Sequence, residues 1–151
     1  MPKTWIIRAD GGNLIDHFLE GEVGVSWNFN RDLKDFDGFE SFKRAFEADE
    51  GRSRPQQAKQ LWSFFDEMDV DDVVVAVDPW NRKLHIGSIR GGYSYKPHLQ
   101  EQDLPPHSRA VLWESERSRD ALKEETRTAI DRPITLFQVD GDVQVDLLKQ
   151  E

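Results

Sequence analysis

The 151-residue chain contains no cysteine, which excludes disulfides, thiolate metal sites, iron–sulfur clusters and a cysteine nucleophile together. No apolar run approaches the roughly 18–20 residues needed to span a bilayer, and the start Met1-Pro2-Lys3-Thr4-Trp5 has no signal-peptide core, so a cytoplasmic protein is expected. Histidine is scarce: His17, His85, His98 and His107 show no i, i+4 pair, and no metal site is expected. Catalytic motifs are missing as well. There is no Gly-x-Ser-x-Gly around Ser26, Ser88, Ser94 or Ser108, no P-loop and no complete Gly-x-Gly-x-x-Gly. Asp66, Glu67, Asp69, Asp71 and Asp72 read as a solvated helix end, and no acid-x-Lys element follows Asp78-Pro79 to build a nuclease site. The sequence therefore points to a binding module without catalytic residues or a cofactor.

Basic residues are also in deficit. Twenty Lys and Arg against 29 Asp and Glu give a formal net charge of -9, unfavourable for a polyanion partner because phosphate neutralisation supplies much of the affinity for nucleic acid. The deficit is uneven along the chain. Trp80–Gln100 contains Arg82, Lys83, Arg90 and Lys96 without an acid, and Gly51–Phe65 contains Arg52, Arg54 and Lys59 without one. A basic face on an acidic protein is one reading of this segregation, and a mixed solvated surface is the other.

The length suits one domain, residues 1–151. Thr4–Ala9 reads as a strand stopped by Gly11-Gly12, and Asn13 as the cap of a short helix over Leu14, Ile15, Phe18 and Leu19. Val23–Asn28 is a second strand. Phe39, Phe42, Ala45 and Phe46 have helical spacing, and Pro55 opens a helix through Leu61, Trp62, Phe64, Phe65 and Met68. The β-branched run Asp72–Val77 is the candidate buried central strand, joined through the turn Asp78–Asn81 to Lys83–Ile89 as a hairpin. Gly91-Gly92 marks a bulge or bend. Arg109–Glu114 alternates as a strand, Ser118 caps a helix carrying Leu122 and Ile130, and Ile134–Val139 with Val143–Val145 are two closing strands. Short strands interspersed with helices give an α+β class with a curved or barrel-like sheet.

What is present in quantity is aromatic: five Trp, two Tyr and nine Phe. Trp5, Ser26-Trp27-Asn28, Tyr93, Tyr95 and Trp113 form a candidate set for stacking a flat partner while N–H and O–H groups meet its edge. The competing reading is that Trp5, Trp27 and Trp113 simply fill the core. Tyr93 and Tyr95 share a strand face, in an acid-free segment next to two glycines that permit close approach. His107, near Arg109, either contacts a phosphate or satisfies a local carbonyl.

The order Trp5-x-x-Arg8, Val23-Gly24-Val25-Ser26-Trp27, Phe65-x-x-Met68-x-x-x-Asp72-x-Val74-Val75, Ile86-Gly87-x-Ile89, Gly92-Tyr93-x-Tyr95, His107-x-Arg109-x-Val111-x-Trp113 and Ile134-Thr135-Leu136-Phe137 covers nearly the whole chain. It resembles the N-terminal domain of Mrr-like modification-dependent restriction endonucleases, which is similar to the PUA-like superfamily that includes EVE and YTH domains. The resemblance implies a small PUA-like β-barrel with peripheral helices that takes a modified base, flipped out of DNA, into an aromatic cage. Carried onto these residues, it makes Ser26, Trp27 and Asn28 one wall with edge hydrogen bonds, puts Tyr93 or Tyr95 near the mouth, and adds Trp5 and Trp113 to the cage. Arg8, Arg82, Arg90, Lys96, His107 and Arg109 would then hold flanking phosphates. One departure is Asp71-Asp72, where similar domains carry Gly-Asp. Another is that no nuclease domain follows Glu151, so a restriction or defence role would require a nuclease in a longer protein or in trans. Alternatives are a reader of modified RNA, a sensor for a free nucleotide or another flat small molecule, and an interaction domain using the helix at Phe39–Phe46.

Overall fold

The computed structural model describes residues 2–25, 27 and 29–149. β1 (Thr4–Arg8) leads through a 3-10 turn to α1 (Ile15–Leu19) and β2 (Glu22–Gly24). A loop with a 3-10 turn at Leu33–Asp35 precedes the helical pair α2 (Phe39–Glu50) and α3 (Pro55–Asp66). Then come β3 (Val73–Asp78), β4 (Lys83–Ile89), the short β5 (Ser94–Tyr95), the long β6 (His107–Ser118), α4 (Glu124–Ile130), β7 (Leu136–Val139) and α5 (Gly141–Leu148). The strand order is β2-β6-β4-β3-β1-β7, with β5 also paired to β6. Only β1 and β3 run parallel; the other pairs are antiparallel. The class is α+β, and the mixed sheet curls strongly into a half-barrel.

Period-two alternation divides the sheet between two apolar layers. Trp5, Ile7, Val74, Ala76, Ile89 and Leu136 pack with Phe18 of α1, Phe42 and Phe46 of α2, and Leu61 and Phe64 of α3. Ile6, Val75, Leu84, Ile86 and Phe137 pack on the other side with Ile130 of α4 and Leu147 of α5. Burial on both faces explains the unbroken Val73-Val74-Val75-Ala76-Val77 run in β3. The β3–β4 hairpin forms as its turn residues predict.

The curl is concentrated in β6. Its first residues lie between β2 and β5, with Val23 opposite Arg109 and Tyr95 opposite His107, whereas Val111 to Ser118 pair with β4. The register shifts at Ile86/Gly87, the kind of bulge that bends a strand. At Gly87 a Cβ would lie 2.5 Å from the Leu112 carbonyl oxygen and 2.9 Å from the Trp113 ring. Glycine is what lets β6 close over β4 there.

Several local expectations are corrected. Val143–Val145 belongs to helix α5, not to a strand: Val143 and Leu147, four apart, face the sheet while Val145 is 69% exposed. β6 is twice as long as expected, running from His107 to Ser118, and β2 stops at Gly24. The residue flanking α1 is Leu14, and neither Asn13 nor Ser118 provides a side-chain cap. No helix of the described residues is long and apolar enough to cross a membrane.

Asp72 ties the starts of β1 and β3 together. Its carboxylate accepts hydrogen bonds from the Trp5 indole Nε1–H at 2.9 Å, the Asp69 N–H at 2.9 Å and the Lys3 N–H at 3.0 Å. Burial alone would push its pKa up, but these donors hold it below the ordinary carboxylate value. Asp71, beside it, has φ +78, the left-handed region that glycine adopts without strain. Asp71 therefore occupies a backbone conformation that glycine would take without strain. Asp72→Ala, which removes the acceptor from three donors, is expected to cost about 3 kcal/mol in urea unfolding. Asp71→Gly should remain within about 1 kcal/mol of the parent, whereas Asp71→Val should lose about 1–2 kcal/mol.

Candidate functional site

The inward face of β6 presents His107, Arg109, Val111 and Trp113 in alternation, and the first of these organises an aromatic cluster at one end of the half-barrel. His107 is fully buried. Its Nε2 lies 2.8 Å from the Phe29 carbonyl oxygen and its Nδ1 lies 2.7 Å from the Tyr93 hydroxyl. A carbonyl only accepts, so Nε2 carries the proton; the neutral ring then leaves Nδ1 to accept from Tyr93. The Tyr93 oxygen in turn accepts the Leu33 N–H at 3.1 Å. Each polar atom in this relay is satisfied with the imidazole neutral. Burial pushes the His107 pKa down to about 4 and the Tyr93 phenol pKa up.

Three rings lie nearly parallel to the imidazole: Tyr95 at 5.2 Å, Tyr93 at 5.8 Å and Phe29 at 6.2 Å between centroids. Phe65 of α3 meets Tyr93 edge-on at 4.9 Å. Tyr93 is only 6% exposed, which makes it a supporting residue behind the surface. Tyr95 and Trp27 are half-buried, each packed against the same core with part of its surface open. Trp27 is joined to the cluster through Phe29, whose N–H donates to its carbonyl at 3.0 Å. Phe36, 5.9 Å from Phe29, and Phe65 are half-buried as well, so Trp27 and Tyr95 share the partly open aromatic surface at this end with them.

The rest of the expected cage disperses. Trp5 is buried in the core and its indole N–H is committed to Asp72, so it does not form a cage wall. Trp113 is six residues along β6 from His107, about 20 Å away at strand rise; it donates to the Phe18 carbonyl at 2.6 Å and covers Gly87. Ser26 and Asn28 lie outside the described residues.

The expected phosphate contacts are largely internal. Arg109, 4% exposed, donates to the carbonyls of Phe64 at 2.8 Å, Phe65 at 2.8 Å and Gly91 at 3.3 Å. It thereby satisfies carbonyls in the last turn of α3 and places a cation at the negative end of that helix. His107, neutral and enclosed, has no phosphate to reach. Arg8 holds the Ile130 and Arg132 carbonyls at the end of α4. Arg82 pairs with Asp120, Arg90 with Asp71 and Lys96 with Glu22. Arg8 and Arg82 also line a cavity of about 250 Å³ with Lys83 and Arg119, bounded by Asp78 and Asp131. That cavity lies where β4 begins and β6 ends, away from His107.

The sequence reading missed Phe29, Leu33, Phe65 and Asp32. Leu33 reaches the site through its backbone N–H, and Phe29 through its carbonyl as well as its ring, and the backbone contacts leave no compositional signal. Asp32 does leave one: an Asp two residues before the N–H it accepts is a standard helix-start pattern. Among the described residues no group of three His, Asp or Glu is placed to hold a metal ion.

A family model described as "Domain of unknown function (DUF8426)" matches residues 12–136, which take in α1 through the first residue of β7. No curated protein and no solved structure matches the chain at a significant level.

The neutral, buried imidazole has a measurable consequence. The unfolded histidine takes up its proton near pH 6.5 and the folded one only near pH 4, so the unfolded state binds more protons throughout that window. Stability therefore rises with pH across it, and acidification from pH 6.5 to 4 should remove about 2–3 kcal/mol. Urea melts at stepped pH should show this fall in the parent and a flatter profile in His107→Gln.

Proposed function

The chain belongs to the DUF8426 family, and for this member we propose a non-catalytic binding module of PUA-like type that receives a modified DNA base against Trp27 and Tyr95. One observation carries the reading. Two half-buried aromatic side chains are left partly open at the end of a half-barrel, and the ring behind Tyr95 is held in a single tautomer by Tyr93 and Phe29. A rigid aromatic surface suits a flat ligand because its own side chains lose little freedom on binding.

Flipping a base costs a few kcal/mol, and stacking on an aromatic side chain returns roughly 1–3 kcal/mol per base. A methyl group on the base adds apolar area to be buried. The curled mixed sheet flanked by helices is the architecture such a reader needs, and the order of motifs from Trp5 to Phe137 supports the PUA-like assignment. In a restriction or defence system the module would direct a nuclease supplied by another domain or subunit.

A second reading, a sensor for a free nucleotide or similar flat molecule, is favoured by the pairing of Arg82, Arg90 and Lys96 with acids, which leaves these cations less available to a phosphate backbone. Oligonucleotides carrying methylated or hydroxymethylated cytosine or N6-methyladenine, in DNA and in RNA, separate the readings when titrated beside free nucleotides at two salt concentrations. Base reading predicts preference for one modified DNA over plain duplex and a loss of about 1–3 kcal/mol in Trp27→Ala and in Tyr95→Ala. Absence of any preference, with Trp27→Ala unchanged, sinks it. Thermal stabilisation by a free nucleotide without DNA binding selects the sensor.

A further inference from the structure

The cavity beyond the far end of β6 gathers cations on a chain whose net charge is -9. Arg8, Arg82, Lys83 and Arg119 line it, against the two acids Asp78 and Asp131. The fold assembles them from separate places: Arg8 ends β1, Arg82 and Lys83 lead into β4, Arg119 follows β6 and Asp131 follows α4. The Asp78 carboxylate, 1% exposed, is taken up within the β3–β4 hairpin by Asn81 and His85. Asp131 is therefore the acid of the lining that competes for these cations.

Two guanidinium groups meet at the end of α4 with donors unused. Arg8 Nη1 donates to the Ile130 and Arg132 carbonyls, both at 3.2 Å, and so covers the carbonyl end of that helix. Its Nε and Nη2 make no hydrogen bond to a described residue, and among those residues it has no carboxylate partner. Arg119 Nη2 donates to Asp131 at 2.6 Å, whereas its Nη1 is buried with no hydrogen-bond partner among the described residues. A buried N–H left unmade is costly, and an acceptor brought to it by a small turn of the guanidinium removes that cost. The Arg119 N–H donates to the Arg82 carbonyl at 3.0 Å, which fixes Arg119 beside the β3–β4 turn. Arg82 and Lys83 pair with Asp120 and Glu116, but these pairs are largely exposed and hold weakly.

We propose that this cavity binds a phosphate monoester, its oxygens held by Arg8 and Arg119 while Arg82 and Lys83 add charge from more exposed positions. The volume of about 250 Å³ exceeds the ~150 Å³ that encloses a benzene ring. A phosphate monoester carries a charge of about -1.5 to -2 near neutral pH and three acceptor oxygens, which match two guanidinium forks better than a single carboxylate does. Leu84 and Ile130, each 1% exposed, give the cavity an apolar wall for the carbon side of the ester. The site lies at the opposite end of β6 from His107 and does not rest on the base-reading function proposed above; either holds without the other.

The test titrates the full chain by calorimetry with ribose 5-phosphate and with ribose, neither of which has a flat ring for Trp27 and Tyr95 to stack, in phosphate-free buffer at about 0.1 M salt. The phosphate should bind and the bare sugar should not. Arg8→Gln and Arg119→Gln should each weaken binding about tenfold. Asp131→Asn, which removes the competing acid, should tighten it about threefold, a gain that a misfolded variant cannot produce. Arg52→Gln removes the same charge in the loop between α2 and α3 and should leave binding within about twofold of the parent. A short oligonucleotide with and without a 5′-phosphate identifies the source of the ester: a larger gain from the phosphate on the strand than on ribose assigns the site to strand ends, and a smaller one to free phosphorylated molecules. Ribose 5-phosphate binding no better than ribose overturns the proposal, as does a loss in Arg52→Gln equal to that in Arg119→Gln. A phosphate affinity unchanged in both Arg119→Gln and Asp131→Asn overturns the assignment to this cavity.

Discussion

A buried imidazole that must remain neutral is the constraint around which one end of the molecule is arranged. His107 needs one acceptor and one donor, and a carbonyl fills the first role while a phenol fills the second. Because the Tyr93 hydroxyl gives its proton to Nδ1, its own oxygen is free to accept, and the Leu33 N–H supplies that bond. Three separate pieces of chain are thereby fixed to β6: the loop at Phe29, the turn at Leu33 and the segment entering β5. A protonated ring would have two donors for one carbonyl and a phenol that prefers to donate. Tautomer, loop position and ring stacking are consequences of one choice.

Arg109 solves the complementary problem two residues along the same face. A cation at 4% exposure is costly unless its donors are engaged, and three carbonyls engage it. Two of those carbonyls close the last turn of α3, which carries Phe65 to the edge of the Tyr93 ring. The polar residues of β6 therefore connect to one another through α3, and the aromatic cluster inherits its rigidity from both. Further along, Gly87 lets the strand close over β4, and without that approach β6 would not serve both halves of the curl.

The elements were legible where period and punctuation agreed. The β3 run between an acidic turn and Asp78-Pro79, the phenylalanines of α2 at spacings of three and four, and Pro55 at the start of α3 each state their structure locally. Val143–Val145 misled because two β-branched residues at alternate positions look like a strand, whereas Val143 with Leu147 is the pairing that tertiary contact selects. The candidate site was harder to read because its determinants are partners, not residue types. Trp5 is a core residue owing to Asp72, which lies 67 positions away, and Arg109 is internal owing to helix carbonyls 44 and 45 positions away. Tyr93 and Tyr95 look equivalent in sequence, yet only the first is enclosed, because Leu33 and Phe65 close over it.

The same dependence on partners changes the meaning of the charge pattern. Trp80–Gln100 has no acid of its own, but antiparallel pairing sets Lys83 opposite Ser118, and this neighbourhood brings Glu116 to Lys83 and Asp120 to Arg82. Arg90 finds Asp71 across the β3 entry, and Lys96 finds Glu22 at the start of β2. Segregation along the chain becomes pairing across the sheet. Such exposed pairs contribute little to stability, but each lowers the positive potential that a phosphate would feel. On the reading proposed above, an acidic domain that neutralises its own bases in this way draws its affinity for nucleic acid from contacts other than counterion release. The partly open rings of Trp27 and Tyr95 are the contacts to which the proposed reading assigns it.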